Sequence, residues 1–105
     1  MQYVINKPRH RVLQVQPDGW GTARFDAEIY CVQCGPAGDV IAAGSSDGRI
    51  HFICAQTGEK ILCPLRGHSA FVGSVCFSSD GKKLTSGSED STVRNWDPAT
   101  RASLS

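Results

Sequence analysis

The sequence predicts an all-β antiparallel fold, and three observations support that class. Apolar residues alternate with other residues in short runs, such as Tyr30–Cys34, Ile50–Cys54 and Val72–Phe77. The runs are rich in β-branched and aromatic residues, which favour strands. Clusters of turn-forming residues separate them, as in Gly44–Gly48 and Gly87–Ser91, and no window combines helical periodicity with helix caps.

The pattern of strands and turns repeats along the chain. A shift of 43 residues superposes the following identical residues without a gap: Val32 on Val75, Gly38 on Gly81, Gly44 on Gly87, Ser45 on Ser88 and Asp47 on Asp90. Conservative pairs such as Ile41 with Leu84 fall between them. A repeat of this length is typical of one four-stranded blade of a β-propeller, which spans roughly 40–45 residues. The sequence therefore predicts about two four-stranded antiparallel blades of an incomplete propeller.

The repeat divides the chain into three parts. Residues 27–66 are predicted to form a first, degenerate repeat, and residues 67–105 a second repeat with a truncated outer strand. Residues 1–26 are interpreted as the remnant of a preceding blade and its connecting loop. Closed propellers have typically 4–8 blades, so we expect a fragment of a longer product. The alternative is a ring of several copies, and open blade faces favour self-association in either case.

Composition and charge exclude several classes of function. Eleven basic and ten acidic residues leave a net charge of +1, without the concentrated basic surface that nucleic acids and membranes attract. No segment reaches the roughly 18–20 apolar residues of a transmembrane helix, and the first residues lack the pattern of a signal peptide. We therefore expect a cytoplasmic or nuclear protein that binds neither nucleic acid nor a membrane.

The five cysteines are expected to be reduced. Cys31, Cys34, Cys54 and Cys76 lie inside apolar runs, and only Cys63 does not, so we predict small buried side chains rather than a disulfide framework. The pair Cys31 and Cys34 has the spacing of a zinc or redox motif. Residues three apart on a strand point to opposite faces, so both thiols reach one ion only at a bulge. We predict neither a metal nor a cofactor.

The second repeat resembles the WD-repeat (WD40) family. The motifs that carry the resemblance are the pair Gly67-His68, the turn Ser86-Gly87-Ser88-Glu89-Asp90 and the terminal pair Trp96-Asp97. They stand in the order and at the spacing of that family, over residues 67–100. Residues 27–66 join the resemblance through the internal repeat.

The resemblance implies a hydrogen-bonded tetrad within the second repeat, formed by His68, Ser86, Asp90 and Trp96. A buried carboxylate needs donors, and an imidazole can donate to it while accepting from a hydroxyl. His, Ser and Asp also suggest a hydrolase triad. Because the resemblance assigns them to structural positions inside a blade, we expect no catalytic residue and no enzyme.

The first repeat departs from the tetrad. Asp47 is retained, but Ala43 replaces the hydroxyl, Ile53 replaces the tryptophan and Phe25 stands in place of the histidine. We expect this repeat to fold by apolar packing, without the polar lock of the second.

The resemblance also implies a protein–protein interaction scaffold or adaptor, because WD-repeat propellers bind other proteins and peptides on one rim. The candidate rim residues are Ser46, Ser69, Ala70, Phe71 and Glu89. Phe71 is the best candidate anchor, since aromatic residues supply much of the energy of interfaces; the alternative is that it fills the space between blades. A second function stays open, namely an accessory propeller segment of a multidomain sensor or enzyme.

Overall fold

A computed structural model describes residues 3–5, 12–15, 21–25, 27–55, 57–100 and 104, and it is all-β, as the sequence predicts. The ten strands of these residues are β1 (Tyr3–Ile5), β2 (Val12–Val15), β3 (Gly21–Arg24), β4 (Ile29–Cys34), β5 (Val40–Ser45), β6 (Ile50–Cys54), β7 (Lys60–Leu65), β8 (Val72–Phe77), β9 (Leu84–Ser88) and β10 (Val93–Trp96). Every pairing between them is antiparallel.

The strands form three up-and-down sheets in chain order. The first sheet is β1-β2-β3, the second is β4-β5-β6-β7 and the third is β8-β9-β10. The first sheet includes a strand that the pattern does not predict. Gly21 opens β3 although it stands in a cluster of turn residues, and the sequence of β3, Gly-Thr-Ala-Arg, lacks apolar alternation.

The third sheet has one residue at the position that corresponds to the fourth strand of the second sheet. In the second sheet Phe52 pairs with Ile61. At the equivalent place, 43 residues further on, the Leu104 N–H donates to the Asn95 carbonyl oxygen at 2.7 Å. Among the described residues the third sheet therefore has three strands and one residue bonded at the position of an outer strand.

The turns and bulges repeat as well. Gly38 and Gly81 both have positive φ, at 76° and 74°, in the turns that follow β4 and β8. The strand β4 shifts register between Ile29 and Cys31, and β8 shifts between its equivalent residues, Val72 and Ser74. The bulge in β4 leaves Tyr30 48% exposed between two inward-facing neighbours.

The second sheet is covered on both faces, and residues 41–45 of its strand β5 are all buried. One face carries a core cluster of Phe25, Ile29, Ile41, Ala43, Ile53 and Ala55. The other face packs on the third sheet through a cluster of Ala42, Ile50, Phe52, Leu65, Val72, Val75, Leu84 and Trp96. Burial of this apolar surface is the main source of stability in such a stack.

The contact between the second and third sheets is close and specific. A Cβ at Gly44 would lie 2.7 Å from Cγ1 of Val72, so only glycine admits the neighbouring strand there. The Cys31 thiol donates to the Val72 carbonyl at 3.5 Å. At the other end of the strands the Phe77 N–H donates to Oε1 of Gln33 at 2.7 Å. These bonds hold β4 and β8 side by side.

The cysteines are less buried than predicted. Cys31 and Cys34 are half-buried on opposite sides of β4, because Cys31 packs with the cluster between the sheets and Cys34 with the other. Cys54 is also half-buried, but Cys76 is exposed, so the prediction that it is buried is wrong. Its neighbours Val75 and Phe77 face the second sheet, and alternation turns Cys76 to the open face. The side chain of Cys63 lies outside the described part of the chain.

Candidate functional site

The structure brings together the four side chains of the tetrad. Nδ1 of His68 lies 3.0 Å from Oδ2 of Asp90, and Nε2 of His68 lies 2.7 Å from Oγ of Ser86. Nε1 of Trp96 donates to the same Ser86 Oγ at 2.9 Å. His68, Ser86 and Trp96 are all buried, so the chain of bonds runs from a turn of the third sheet into its core.

The network is satisfied by a neutral imidazole with its proton on Nδ1. His68 then donates to the Asp90 carboxylate, and its Nε2 accepts the hydroxyl proton of Ser86. Ser86 Oγ in turn accepts from the indole of Trp96. The three buried side chains thus each use their polar atoms within one continuous network, which is the condition for burying them at low cost.

Asp90 joins two segments of the chain. Its Oδ2 accepts from the Ser69 N–H at 2.9 Å, and its Oδ1 accepts from the Thr92 N–H at 2.9 Å. The Thr92 hydroxyl, together with the bonds from Ser69 and His68, holds the pKa of Asp90 well below its usual range although desolvation opposes this. The carboxylate therefore ties the loop before β8 to the turn after β9.

The arrangement of His68, Ser86 and Asp90 has the connectivity of a hydrolase triad but not its access. Ser86 is 0% exposed, so no substrate carbonyl can approach its oxygen. The hydroxyl also accepts a hydrogen bond from Trp96, which occupies the oxygen that would attack. The geometry supports a structural role, in which these side chains hold the loop before β8 to the core of the third sheet.

The second sheet replaces this lock by apolar packing around Phe25. Phe25, Ala43 and Ile53 are buried in one cluster. The ring of His51 lies 4.9 Å from that of Phe25, and Nζ of Lys60 lies 4.8 Å above the ring centroid. A cation over an aromatic face adds a modest attraction.

Asp47, the retained acid of the first repeat, makes its hydrogen bonds within its own turn. It accepts from the Ser45 hydroxyl and from the Arg49 N–H. Although desolvation opposes them, these bonds hold the pKa of Asp47 below its usual value. Unlike the bonds of Asp90, those to Ser45 and Arg49 lie within a single turn.

The five predicted rim residues lie along one edge of the second and third sheets, which we call the rim. It consists of the loops before β4 and β8 and the turns after β5 and β9. The Ser46 N–H donates to the Glu28 carbonyl at 2.7 Å, and the Glu89 N–H donates to the Phe71 carbonyl at 3.0 Å. The Ala70 carbonyl accepts from the Ser88 hydroxyl. Equivalent backbone hydrogen bonds therefore close the loop onto the turn in both halves of the rim.

Sequence reasoning missed one residue beside the rim, Tyr30, the second residue of β4. Its ring meets that of Phe71 edge to face, with centroids 4.8 Å apart and an interplanar angle of 87°. Phe71 is half-buried and, with Glu89, lines a shallow cavity of about 380 Å³ on the edge of the third sheet. The sequence did contain a signal, because Tyr30 is equivalent to Gly73 in the 43-residue repeat. A side chain at this bulge points into neither core, so an aromatic residue there is expected to be exposed.

Neither a metal centre nor a membrane span is found where the structure is described. The residues described contain no group of three or more His, Cys, Asp and Glu side chains arranged to hold a metal ion. Burial raises the pKa of the Cys31 thiol, which disfavours the thiolate that a metal requires. No helix in the same residues is long and apolar enough to cross a membrane.

These features first define a class of protein. Antiparallel sheets that stack face to face in chain order and repeat with the spacing of a blade make the chain part of a β-propeller. A family model, described as WD domain, G-beta repeat, matches residues 21–53 and 59–97, which is more than half of the chain. The chain belongs to the WD40 family. Each match begins near the last strand of one sheet and ends near the third strand of the next.

The sequences of several known proteins align with most of this chain. The periodic tryptophan protein 2 homolog of Schizosaccharomyces pombe is 39% identical over 84 residues, covering 79% of the chain and 10% of the relative. The pre-rRNA-processing protein IPI3 of Mycosarcoma maydis is 36% identical over 70 residues, covering 67% of the chain and 12% of the relative. The chain thus spans about a tenth of the length of these relatives.

A solved structure agrees with the fold. The WD40 repeats of RRP9 superpose with a TM-score of 0.72 at 26% sequence identity, covering 79% of this chain and 26% of that one. The matched part of this chain therefore has the arrangement of neighbouring blades in a WD40 chain about three times as long.

Proposed function

We propose that this chain is part of a protein-interaction scaffold and that its rim binds a peptide segment of a partner protein. The observation that carries the proposal is the aromatic pair of Tyr30 and Phe71. Tyr30 is 48% exposed, although a tyrosine packs well in a core. Its partner Phe71 lies edge to face against it, so the two rings present one apolar surface to solvent.

The rim has the chemistry of an interaction site. Aromatic residues bury a large area at a small cost in side-chain entropy, and they are enriched among the residues that dominate binding. The bonds of the rim backbone hold the pair in place before a partner arrives, which lowers the entropy lost on binding. Exposed Glu89 lies beside Phe71 along the same cavity. A segment with an apolar residue next to a basic one fits this surface.

The relatives support a more specific setting. One of them is named as a pre-rRNA-processing protein, so we propose that the partner belongs to a pre-rRNA-processing assembly and that the protein acts in the nucleus. The binding of RNA itself would then fall to other components, in keeping with the net charge of +1. The alternative role, an accessory propeller segment of a multidomain sensor or enzyme, would use the same rim.

The closed tetrad supports a role without catalysis for this segment. Ser86 is buried and bonded on both sides, so its hydroxyl is not available to a substrate. Function therefore depends on surface shape and on the groups that the blades display.

The proposal is tested by capturing partners with the full chain and with variants of the rim. Tyr30→Ala and Phe71→Ala are compared with Leu104→Ala, a matched control because Leu104 is 50% exposed and lies away from the rim. Captured proteins are quantified by mass spectrometry. We expect both rim variants to reduce recovery of the partner about tenfold or more, as loss of a dominant contact does.

The control separates the rim from general stickiness. Leu104→Ala is expected to leave recovery unchanged. Equal recovery by all four proteins, or an equal loss in Leu104→Ala, would show that the aromatic pair is not the binding surface.

A further inference from the structure

A groove lies on the edge opposite the rim, where the second and third sheets meet. Its volume is about 450 Å³, and its apolar wall is formed by Pro36, Val40, Phe77 and Pro98. Two carboxylates, from Asp39 and Asp80, also line it. We call it the inter-sheet groove. It was not predicted from the sequence, because its walls come from two repeats and from the residues after β10.

The two turns that form the inter-sheet groove are held rigidly. In the first turn the Gly35 N–H donates to the Val40 carbonyl at 2.8 Å. In the second, the Gly81 N–H donates to the Ser78 carbonyl at 2.9 Å. A Cβ at Gly81 would lie 3.2 Å from Cγ of Pro36, so the turns touch. Behind them the bond from Phe77 to Gln33 fixes the distance between the sheets.

The charge of the inter-sheet groove is negative. Oδ1 of Asp80 accepts from the Ser78 hydroxyl at 2.6 Å and from the Lys82 N–H at 3.0 Å. The bond from the Ser78 hydroxyl has the largest effect, and together these bonds hold the pKa of Asp80 below its usual value. The carboxylate is therefore charged at neutral pH. Asp39 is exposed at the other end. Among the described residues that line the groove, two carry carboxylates and none is a lysine or an arginine.

We propose that the inter-sheet groove is a second docking site, and that it binds an extended peptide segment of a partner protein carrying an arginine or lysine beside an aliphatic residue. The apolar wall of proline and phenylalanine takes the aliphatic side chain. The basic side chain lies between Asp39 and Asp80. The charge and the apolar wall together select this occupant, because an acidic or purely polar segment would match only part of the surface.

The size of the site agrees with such an occupant. Pockets for ligands occupy about 300–1,000 Å³, and the inter-sheet groove falls at the lower end, which suits two side chains and the backbone between them. Asp39 is expected to contribute more than Asp80. The ammonium group of Lys82 already acts on Asp80 and lowers its pKa, so it offsets part of that charge.

The test uses the full chain and a labelled octapeptide, Ser-Gly-Leu-Arg-Leu-Pro-Gly-Ser, as the probe. Binding is measured by fluorescence anisotropy at low ionic strength. We expect Asp39→Asn to weaken binding about fivefold and Asp80→Asn about threefold, in the range of exposed charge pairs. Pro98→Ala is expected to weaken binding as well, because it removes part of the apolar wall.

Matched controls place the binding at the inter-sheet groove. Glu59→Gln removes one negative charge from an exposed residue outside both the inter-sheet groove and the rim, and it is expected to leave the affinity unchanged, as is Leu104→Ala. A second peptide, with glutamate in place of its arginine, is expected to bind at least tenfold more weakly. Failure of the probe to bind, wild-type affinity in both aspartate variants, or equal affinity for the two peptides would overturn the proposal.

Discussion

Removal of the Ser86 hydroxyl is the sharpest perturbation of the tetrad. Ser86→Ala deletes one atom at a fully buried position, so it leaves almost no cavity. It leaves the indole N–H of Trp96 without an acceptor and Nε2 of His68 without a donor. An unpaired buried polar group costs about 1–3 kcal/mol. We therefore expect the free energy of unfolding to fall by about 2–3 kcal/mol.

A double-mutant cycle with Trp96→Phe separates the hydrogen bond from the packing. In the Trp96→Phe background the indole donor is already absent, so loss of the hydroxyl leaves only His68 unpaired. Ser86→Ala should then cost less, and the coupling energy between the two changes should be about 1–2 kcal/mol. Urea unfolding followed by circular dichroism measures all four proteins without depending on tryptophan fluorescence.

Ser74→Ala is the control for this cycle, because Ser74 lies on the open face of the third sheet and is exposed. It is expected to change the free energy of unfolding by less than about 0.5 kcal/mol. Additive losses in the cycle, or a loss in Ser86→Ala no larger than in Ser74→Ala, would refute the tetrad as an energetic unit.

Three further predictions follow from the same contacts. Gly48→Ala should destabilise the chain far more than Gly38→Ala. Both glycines have positive φ, but a Cβ at Gly48 would lie 2.4 Å from the His68 carbonyl oxygen, whereas a Cβ at Gly38 would meet open space. Similar midpoints of urea unfolding for the two variants would contradict this. The lowered pKa of Asp90 contributes stability that is present above its unfolded pKa of about 3.9 and is lost as pH falls through the lower folded pKa. The loss of stability in acid should therefore begin below about pH 4 and be smaller in Asp90→Asn. An equal loss of stability in acid in that variant would disprove this assignment. The isolated chain should self-associate in light scattering, because Val93, 68% exposed, lies on an uncovered sheet face; a cooperatively unfolding monomer would show that these sheets bury enough surface alone.

Much of the fold is predictable because the repeat constrains it. The spacing places Gly38 and Gly81 in the same turn, and both adopt the positive φ that this turn needs. His68, Ser86, Asp90 and Trp96 meet because they occupy a loop, two strands and a turn whose register follows from the alternation of apolar residues.

The remaining features depend on contacts between repeats, which alternation within one strand does not show. Tyr30 is exposed because of a bulge, and Cys76 is exposed because no further sheet covers its face among the described residues. The inter-sheet groove requires two turns to touch at Pro36 and Gly81. The strand β3 has no apolar alternation to reveal it.

The rim as a protein-binding surface is tested most directly by photo-crosslinking. Benzoylphenylalanine is introduced in place of Tyr30 in one protein and in place of Thr57, an exposed turn residue on the opposite edge, in another. After irradiation with the captured partner, crosslinked peptides are identified by mass spectrometry. The proposal predicts that the probe at position 30 crosslinks to one segment of the partner and that the probe at position 57 does not. Crosslinking at position 57 alone, or to the same extent at both positions, would contradict it.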